Sequence, residues 1–218
     1  MDEARLREEV CRIGASLFAR GYAHATAGNI SARIADGFLI TPTDACLGLL
    51  DPARLSKVGA SGAAIAGDPP SKTLALHRRI YESDPSAGCV IHTHSAHLVA
   101  LTLAGAWSAA ELLPPITPYF VMKVGHVPRV AYHRPGDARV GELVAEAIAA
   151  AAKRGIPIRA VMLDRLGPNV WHETPAAAMA VLEELEETAR LWLLCGRRAE
   201  PLDEVQIDEL RRAFGARW

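Results

Sequence analysis

The chain has 218 residues, half of them apolar, with 24 basic and 25 acidic side chains and a formal net charge of −1. That is ample for a sizeable buried core, and the near-zero balance without a basic block argues against a nucleic acid or an anionic membrane as partner. A small-molecule or protein partner is left.

The amino terminus, MDEARLREEV, is charged where an export signal needs an apolar run. No stretch of about 18 uncharged apolar residues is available to span a bilayer, so a cytoplasmic protein is expected. Cys11, Cys46, Cys89 and Cys195 form no C-x-x-C pair and read as reduced core residues.

Leu6, Val10, Ile13 and Leu17 recur at helical spacing and stop before Gly21, so the first element is an amphipathic helix. The stretch NISARIADGFLITPT alternates around the turn ADG and predicts a β-hairpin ending at Pro42. GAAIAGDPPSK reads as a loop that delivers Ser71 and Lys72 to the start of a helix carrying Leu74, His77, Ile80 and Tyr81 on one face. Then come a strand in GCVIHTH, a helix from Ser95 to about Leu103, the proline-rich connection LLPPITP and a strand in HVPRVAY. Asp137 is placed to cap the helix ARVGELVAEAIAAAAKR, which stops at Gly155, and IRAVMLD is a strand of the buried type. The last long helix has Thr174 as its cap, Pro175 at its first position and Gly196 just past its end. With no repeat and no long linker, residues 1–218 read as one domain with a carboxy-terminal arm from about Glu200.

Two patterns carry chemical promise. In a strand, residues i and i+2 face the same way, so His92 and His94 would point together, and neutral imidazoles at that spacing can share one ion such as zinc. The alternative is a pair of histidines hydrogen-bonded within the core. Ser71 and Lys72 at a helix start combine free N–H groups, the helix dipole and an ammonium, which suits a phosphate or carboxylate. An ordinary cap beside a solvated lysine is the plainer reading. TAGN at 26–29 and TPT at 41–43 can likewise be simple turns.

Taken in order, TAGNISARIADGFLITPT, PPSKTLALHRRIY, GCVIHTHSAHLVALT and LGPNVWHETPAAAMAVLEELEETARL resemble the class II aldolase/adducin family of sugar-phosphate lyases. The segments PPSK, LPPITPYFVMKVG, YHRPGD and EELEETARL are most similar to its 3-oxo-tetronate 4-phosphate decarboxylase branch. The resemblance implies an α/β fold, a three-layer α/β/α arrangement with a mostly antiparallel central sheet. It also implies a homotetramer with active sites between subunits and a phosphorylated small sugar acid as substrate. Residue by residue, it assigns Asn29, Thr43, Ser71 and Lys72 to the loops that hold the substrate phosphate; without a metal, Lys72 is the candidate catalytic cation for the developing enolate. His92 and His94 become ligands of a divalent metal, zinc being the expected ion, and Tyr119 lies near the family's proton-donating tyrosine. Retro-aldol cleavage or epimerisation of a sugar phosphate shares the same enolate chemistry and is the alternative reaction.

Two positions depart from the family pattern. Thr73 stands four residues before His77, where the family carries a glutamate, and Leu166 in DRLGP stands where the family carries a third metal histidine. Leucine cannot ligate a cation, and two imidazoles alone make a weak site unless another side chain fills in. His97, Asp164 and Arg165, or His126 and His133 across an interface, are the candidates for that role. His172 reads as a surface residue ahead of the last helix. The double departure is also what a non-catalytic, ligand-binding or assembly domain of the family would show.

Overall fold

The computed structural model describes residues 2–218. Helix α1 (Glu3–Ala19) starts where the Asp2 carboxylate accepts the Arg5 N–H at 2.8 Å, and it buries Leu6, Val10, Ile13 and Leu17 as its periodicity requires. Strands β1 (Asn29–Ile34) and β2 (Gly37–Ile40) form the expected hairpin. Gly37 is indispensable at its turn, because a Cβ there would stand 2.0 Å from the Val58 carbonyl oxygen.

Strands β3 (Ser56–Gly59) and β4 (Ala64–Ala66) extend the sheet, so the stretch expected to be a plain loop contributes an edge strand. All three β4 residues are exposed, so β4 carries no alternation for a sequence reading to detect. Helix α2 (Leu74–Ser83) follows, then β5 (Cys89–His92), helix α3 (Ala96–Ala104) and a π-helical turn at Phe120–Val124. The strand expected in HVPRVAY shrinks to β6 (Arg129–Val130), since Pro128 has no N–H to extend the ladder. Helix α4 (Arg139–Lys153), β7 (Ala160–Leu163), β8 (Gly167–His172), α5 (Pro175–Leu194) and α6 (Glu204–Phe214) complete the order.

The eight strands form one sheet in the order β4-β3-β2-β1-β5-β8-β7-β6, antiparallel throughout except for the β6–β7 pair. Helices α1, α3 and α5 cover one face over Ile30, Ile91, Met162 and Val170, while α2 and α4 cover the other over Ile40, Val90, Leu163 and Trp171. The expected three-layer arrangement is therefore present. After residue 200 the chain returns through α6, and Trp218 stacks on His126 with ring centres 4.2 Å apart.

The four cysteines are free, but they are not all core residues: Cys89 is buried, Cys11 and Cys46 are half-buried and Cys195 is exposed. Cys195 caps α5 at its carboxy end, where the apolar periodicity continues in sequence although the helix has left the core.

Candidate active site

The face of the sheet under α2 and α4 is apolar at its centre and polar at one end. The register sets Asn29 opposite His92 and His92 opposite Asn169, so three polar side chains stand in a row across β1, β5 and β8. Ser31, two residues along β1, shares that face. Its hydroxyl lies 2.8 Å from His77 Nδ1 and 2.8 Å from the Tyr81 hydroxyl, both offered by α2. All of these groups are buried, and among the described residues Asn29 Oδ1, His77 Nε2 and both side-chain polar atoms of Asn169 lack a partner. Buried polar atoms are seldom left without one, and their concentration here marks a place built to meet a ligand or water.

A cavity of about 940 Å³ opens over this row. One wall comes from two loops stitched together: the Ser71 N–H donates to the Thr41 carbonyl at 3.2 Å, and the Thr43 N–H donates to the Pro69 carbonyl at 2.9 Å. Those bonds bring Thr43, Ser71 and Lys72 to the mouth beside Asn29, at the start of α2. Gly28 carries φ +90°, and a Cβ there would stand 2.9 Å from the His92 carbonyl oxygen, so this close approach of the TAGN turn to β5 requires glycine. The residues expected to contact phosphate thus line one wall of one cavity, with Lys72 exposed.

His92 and His94 line the same cavity, with ring centres 5.1 Å apart. The strand ends at His92, so the two rings converge although His94 lies just beyond the ladder. His92 Nδ1 lies 2.9 Å from the Pro168 carbonyl oxygen. A carbonyl can only accept, which places the proton on Nδ1 and leaves the Nε2 lone pair free, the usual orientation of a metal-binding or basic imidazole. Burial, reinforced by neighbouring His94, pushes His92 down to about 4, and burial with His92 nearby pushes His77 down to about 3. His94 is also lowered, first by burial and then by His24. These imidazoles are neutral at physiological pH, the form that can donate a lone pair.

Leu166 and Thr73 line this cavity too, so both departures fall at the site itself. Neither supplies a third strong donor. Asp164 is engaged by Arg129 at 2.7 and 3.1 Å, and Arg165 is exposed at φ +67°. His97 is held by Glu186 at 2.8 Å, His126 by Glu111 at 3.2 Å and His133 by Asp137 at 3.3 Å, so within the chain none of them completes the pair. Tyr119 is 61% exposed at the entrance to the π-helical turn and does not line the cavity. His172 is the last residue of β8 and half-buried, accepting the Glu173 N–H at 2.8 Å.

Sequence reasoning missed Asn169, Ser31 and the placement of His77 and Tyr81. The available signal was an asparagine within GPNVWH, a polar residue in an otherwise apolar strand. His24, whose ring centre is 6.2 Å from that of His94, was missed as well, and nothing in its turn-like sequence distinguished it.

Residues 8–193 match the family described as Class II Aldolase and Adducin N-terminal domain, and the chain belongs to that family. Its members generally use a divalent metal ion. Over 99% of both chains it is 55% identical to a 3-oxo-tetronate 4-phosphate decarboxylase of Cupriavidus necator. Its fold matches the crystal structure of YgbL from Escherichia coli with a TM-score of 0.88 at 43% identity, covering 96% of this chain and 99% of that one. L-fuculose-1-phosphate aldolase from Thermus thermophilus matches at 28% identity with a TM-score of 0.74, over 92% of this chain and 100% of that one. Two neutral imidazoles, buried His92 oriented by a carbonyl and half-buried His94, fit two places around such an ion. The hydrocarbon side chain of Leu166 does not fit the third.

Proposed function

We propose that this chain is a carbon–carbon lyase that decarboxylates a 3-oxo-tetronate 4-phosphate. The observation that carries the reading is one cavity holding an anion-binding wall and a pair of neutral imidazoles, in a chain 55% identical to a decarboxylase of that substrate. Asn29, Thr43 and Ser71 hold the phosphate, with the backbone N–H groups at the start of α2 and the Lys72 ammonium supplying positive charge. That anchorage directs the oxo acid toward the histidine end. Breaking the bond between the carboxylate and the adjacent carbon releases carbon dioxide and leaves the electron pair in an enolate, which takes up one proton at carbon to give a three-carbon ketose phosphate.

The developing oxyanion needs a cationic or hydrogen-bonding neighbour. When bound, a divalent metal supplies Lewis-acid stabilisation of that charge, and His92 and His94 are the residues that would hold it. Lys72 is the cation of this chain nearest in role, and Asn169 presents a buried amide within the same row. Tyr119 acts as proton donor only from a neighbouring subunit, which accords with a homotetramer whose sites lie between subunits and with its high exposure in the single chain.

Carbon dioxide release from 3-oxo-tetronate 4-phosphates, measured beside aldehyde release from ketose 1-phosphates, tests the assignment. Decarboxylation alone is expected. Aldehyde release alone moves the assignment to a retro-aldol enzyme, and tight phosphate binding with neither product marks a ligand-binding domain, the outcome that Leu166 and Thr73 would then explain.

A further inference from the structure

The histidine end of the cavity is one donor short, and a donor stands close by on the loop between α1 and β1. The His24 ring centre is 6.2 Å from that of His94, which is in turn 5.1 Å from that of His92. The loop is tied to the histidine segment at both ends. Ser95 Oγ donates to the Tyr22 carbonyl at 3.3 Å, and Gly28 packs directly on the His92 carbonyl. Between these anchors the Ala27 N–H donates to the His24 carbonyl at 2.9 Å, and Ala25 holds φ +47°, a left-handed conformation that costs an alanine roughly 1 kcal/mol. The loop thus keeps a strained turn immediately after His24.

Two imidazoles on one tetrahedral ion, with metal–nitrogen bonds of about 2.0–2.1 Å, have ring centres roughly 5 Å apart. His92 and His94 already have that spacing. His24 exceeds it toward His94 by about 1 Å, and it is exposed, so its side chain has room to rotate.

We propose that His24 is the third ligand of a divalent metal site with His92 and His94, in place of the histidine that Leu166 excludes. The site closes on binding rather than standing preformed: among the described residues, no three histidine, cysteine, aspartate or glutamate side chains are already grouped to hold an ion. Three imidazole nitrogens and an open position favour a zinc-like ion over calcium or magnesium, which prefer oxygen. The inference rests on reading this cavity as metal-using.

Zinc titration of the metal-stripped full-length protein, followed by calorimetry and by metal content after dialysis, tests it without recourse to activity. One zinc per chain is expected for the wild type, with binding at least tenfold weaker in His24→Ala and in His92→Ala. His126→Ala, remote from the cavity, should bind as the wild type does, and Leu166→His should restore zinc binding to His24→Ala. Matching melting curves of metal-free wild type and His24→Ala establish that the variant is folded, as an exposed side chain predicts. Equal zinc affinity in wild type and His24→Ala overturns the proposal, as does a wild type that binds no zinc at micromolar concentration. Decarboxylation and binding of phosphorylated ligand, measured on the same samples, separate the two readings: both persisting without zinc leaves the function standing and removes the metal site.

Discussion

At the end of the cavity proposed to take the phosphate, the loops around Thr43 and Ser71 are clamped by backbone hydrogen bonds, and Asn29, Thr43, Ser71 and Lys72 line it together. At the histidine end, two imidazoles are neutral and one is oriented by a carbonyl, yet Leu166 and Thr73, beside them in the cavity, supply no third strong donor. The first end depends on backbone N–H groups and a lysine, which persist through many side-chain changes. The second depends on a counted set of donors, where one replacement removes a coordination position. On the proposed reading, anion binding is therefore the more robust property of this cavity, and metal binding the more easily lost or relocated one.

The sharpest way to break the histidine end is through its backbone. Gly167 holds φ +135°, and a Cβ there would stand 1.9 Å from the Thr93 carbonyl oxygen, between the two histidines. Gly167→Ala is expected to destabilise the protein by about 3 kcal/mol or more, because two backbone segments must separate. Denaturant unfolding measures this, and a loss below about 1 kcal/mol would show that the corner yields easily.

Acid should weaken the same end. His92 and His77 are held neutral with folded values of about 4 and about 3, below the ordinary 6.5. The unfolded chain therefore binds more protons below pH 6.5, so stability falls as pH drops from 6.5 toward those folded values and is unaffected by these groups above it. A loss on the order of 2–3 kcal/mol for each histidine, about 5 kcal/mol for the pair, is expected between pH 7 and 4.5, and His92→Gln should remove about half of that slope. An unchanged slope in the variant would assign the acid sensitivity to other groups.

At the phosphate end, Lys72→Ala should weaken phosphorylated ligands by about 1.5–3 kcal/mol while leaving unphosphorylated analogues nearly unchanged. Calorimetry with matched ligands reads the difference, and equal losses for both would make the lysine structural. The smallest effect is expected between the two ends. Asn169 buries an amide without a protein partner, so Asn169→Leu should raise stability by about 1 kcal/mol while lowering ligand affinity. A variant less stable than the wild type would mean that the amide is satisfied in solution by water.

How much of this was legible follows from the range of each interaction. The helices α1, α2, α4 and α5 and the β1–β2 hairpin could be read directly, because periodicity, caps such as Thr174 and turns such as ADG act within a few residues. The motifs TPT, PPSK and HTH, taken with the family resemblance, named the cavity wall and the histidine pair, since each lies within a short contiguous stretch. Strand β4 escaped because nothing but pairing with β3 defines it. The place of Tyr119 was not legible, because a motif gives order along the chain and not the direction of an exposed ring.

Sequence alone determined the local elements and the two polar motifs, both properties of residue identity and short spacing, and put threonine at 73 and leucine at 166, where neither side chain is a strong metal donor. The tertiary structure decided which residues became neighbours. The register of β1, β5 and β8 aligned Asn29, His92 and Asn169; the packing of α2 set His77 against Ser31; and the loop after α1 carried His24 toward His94. Those contacts join residues 46 to 77 positions apart in the first cases and 70 in the last, distances over which sequence pattern carries no signal and burial of one common core does.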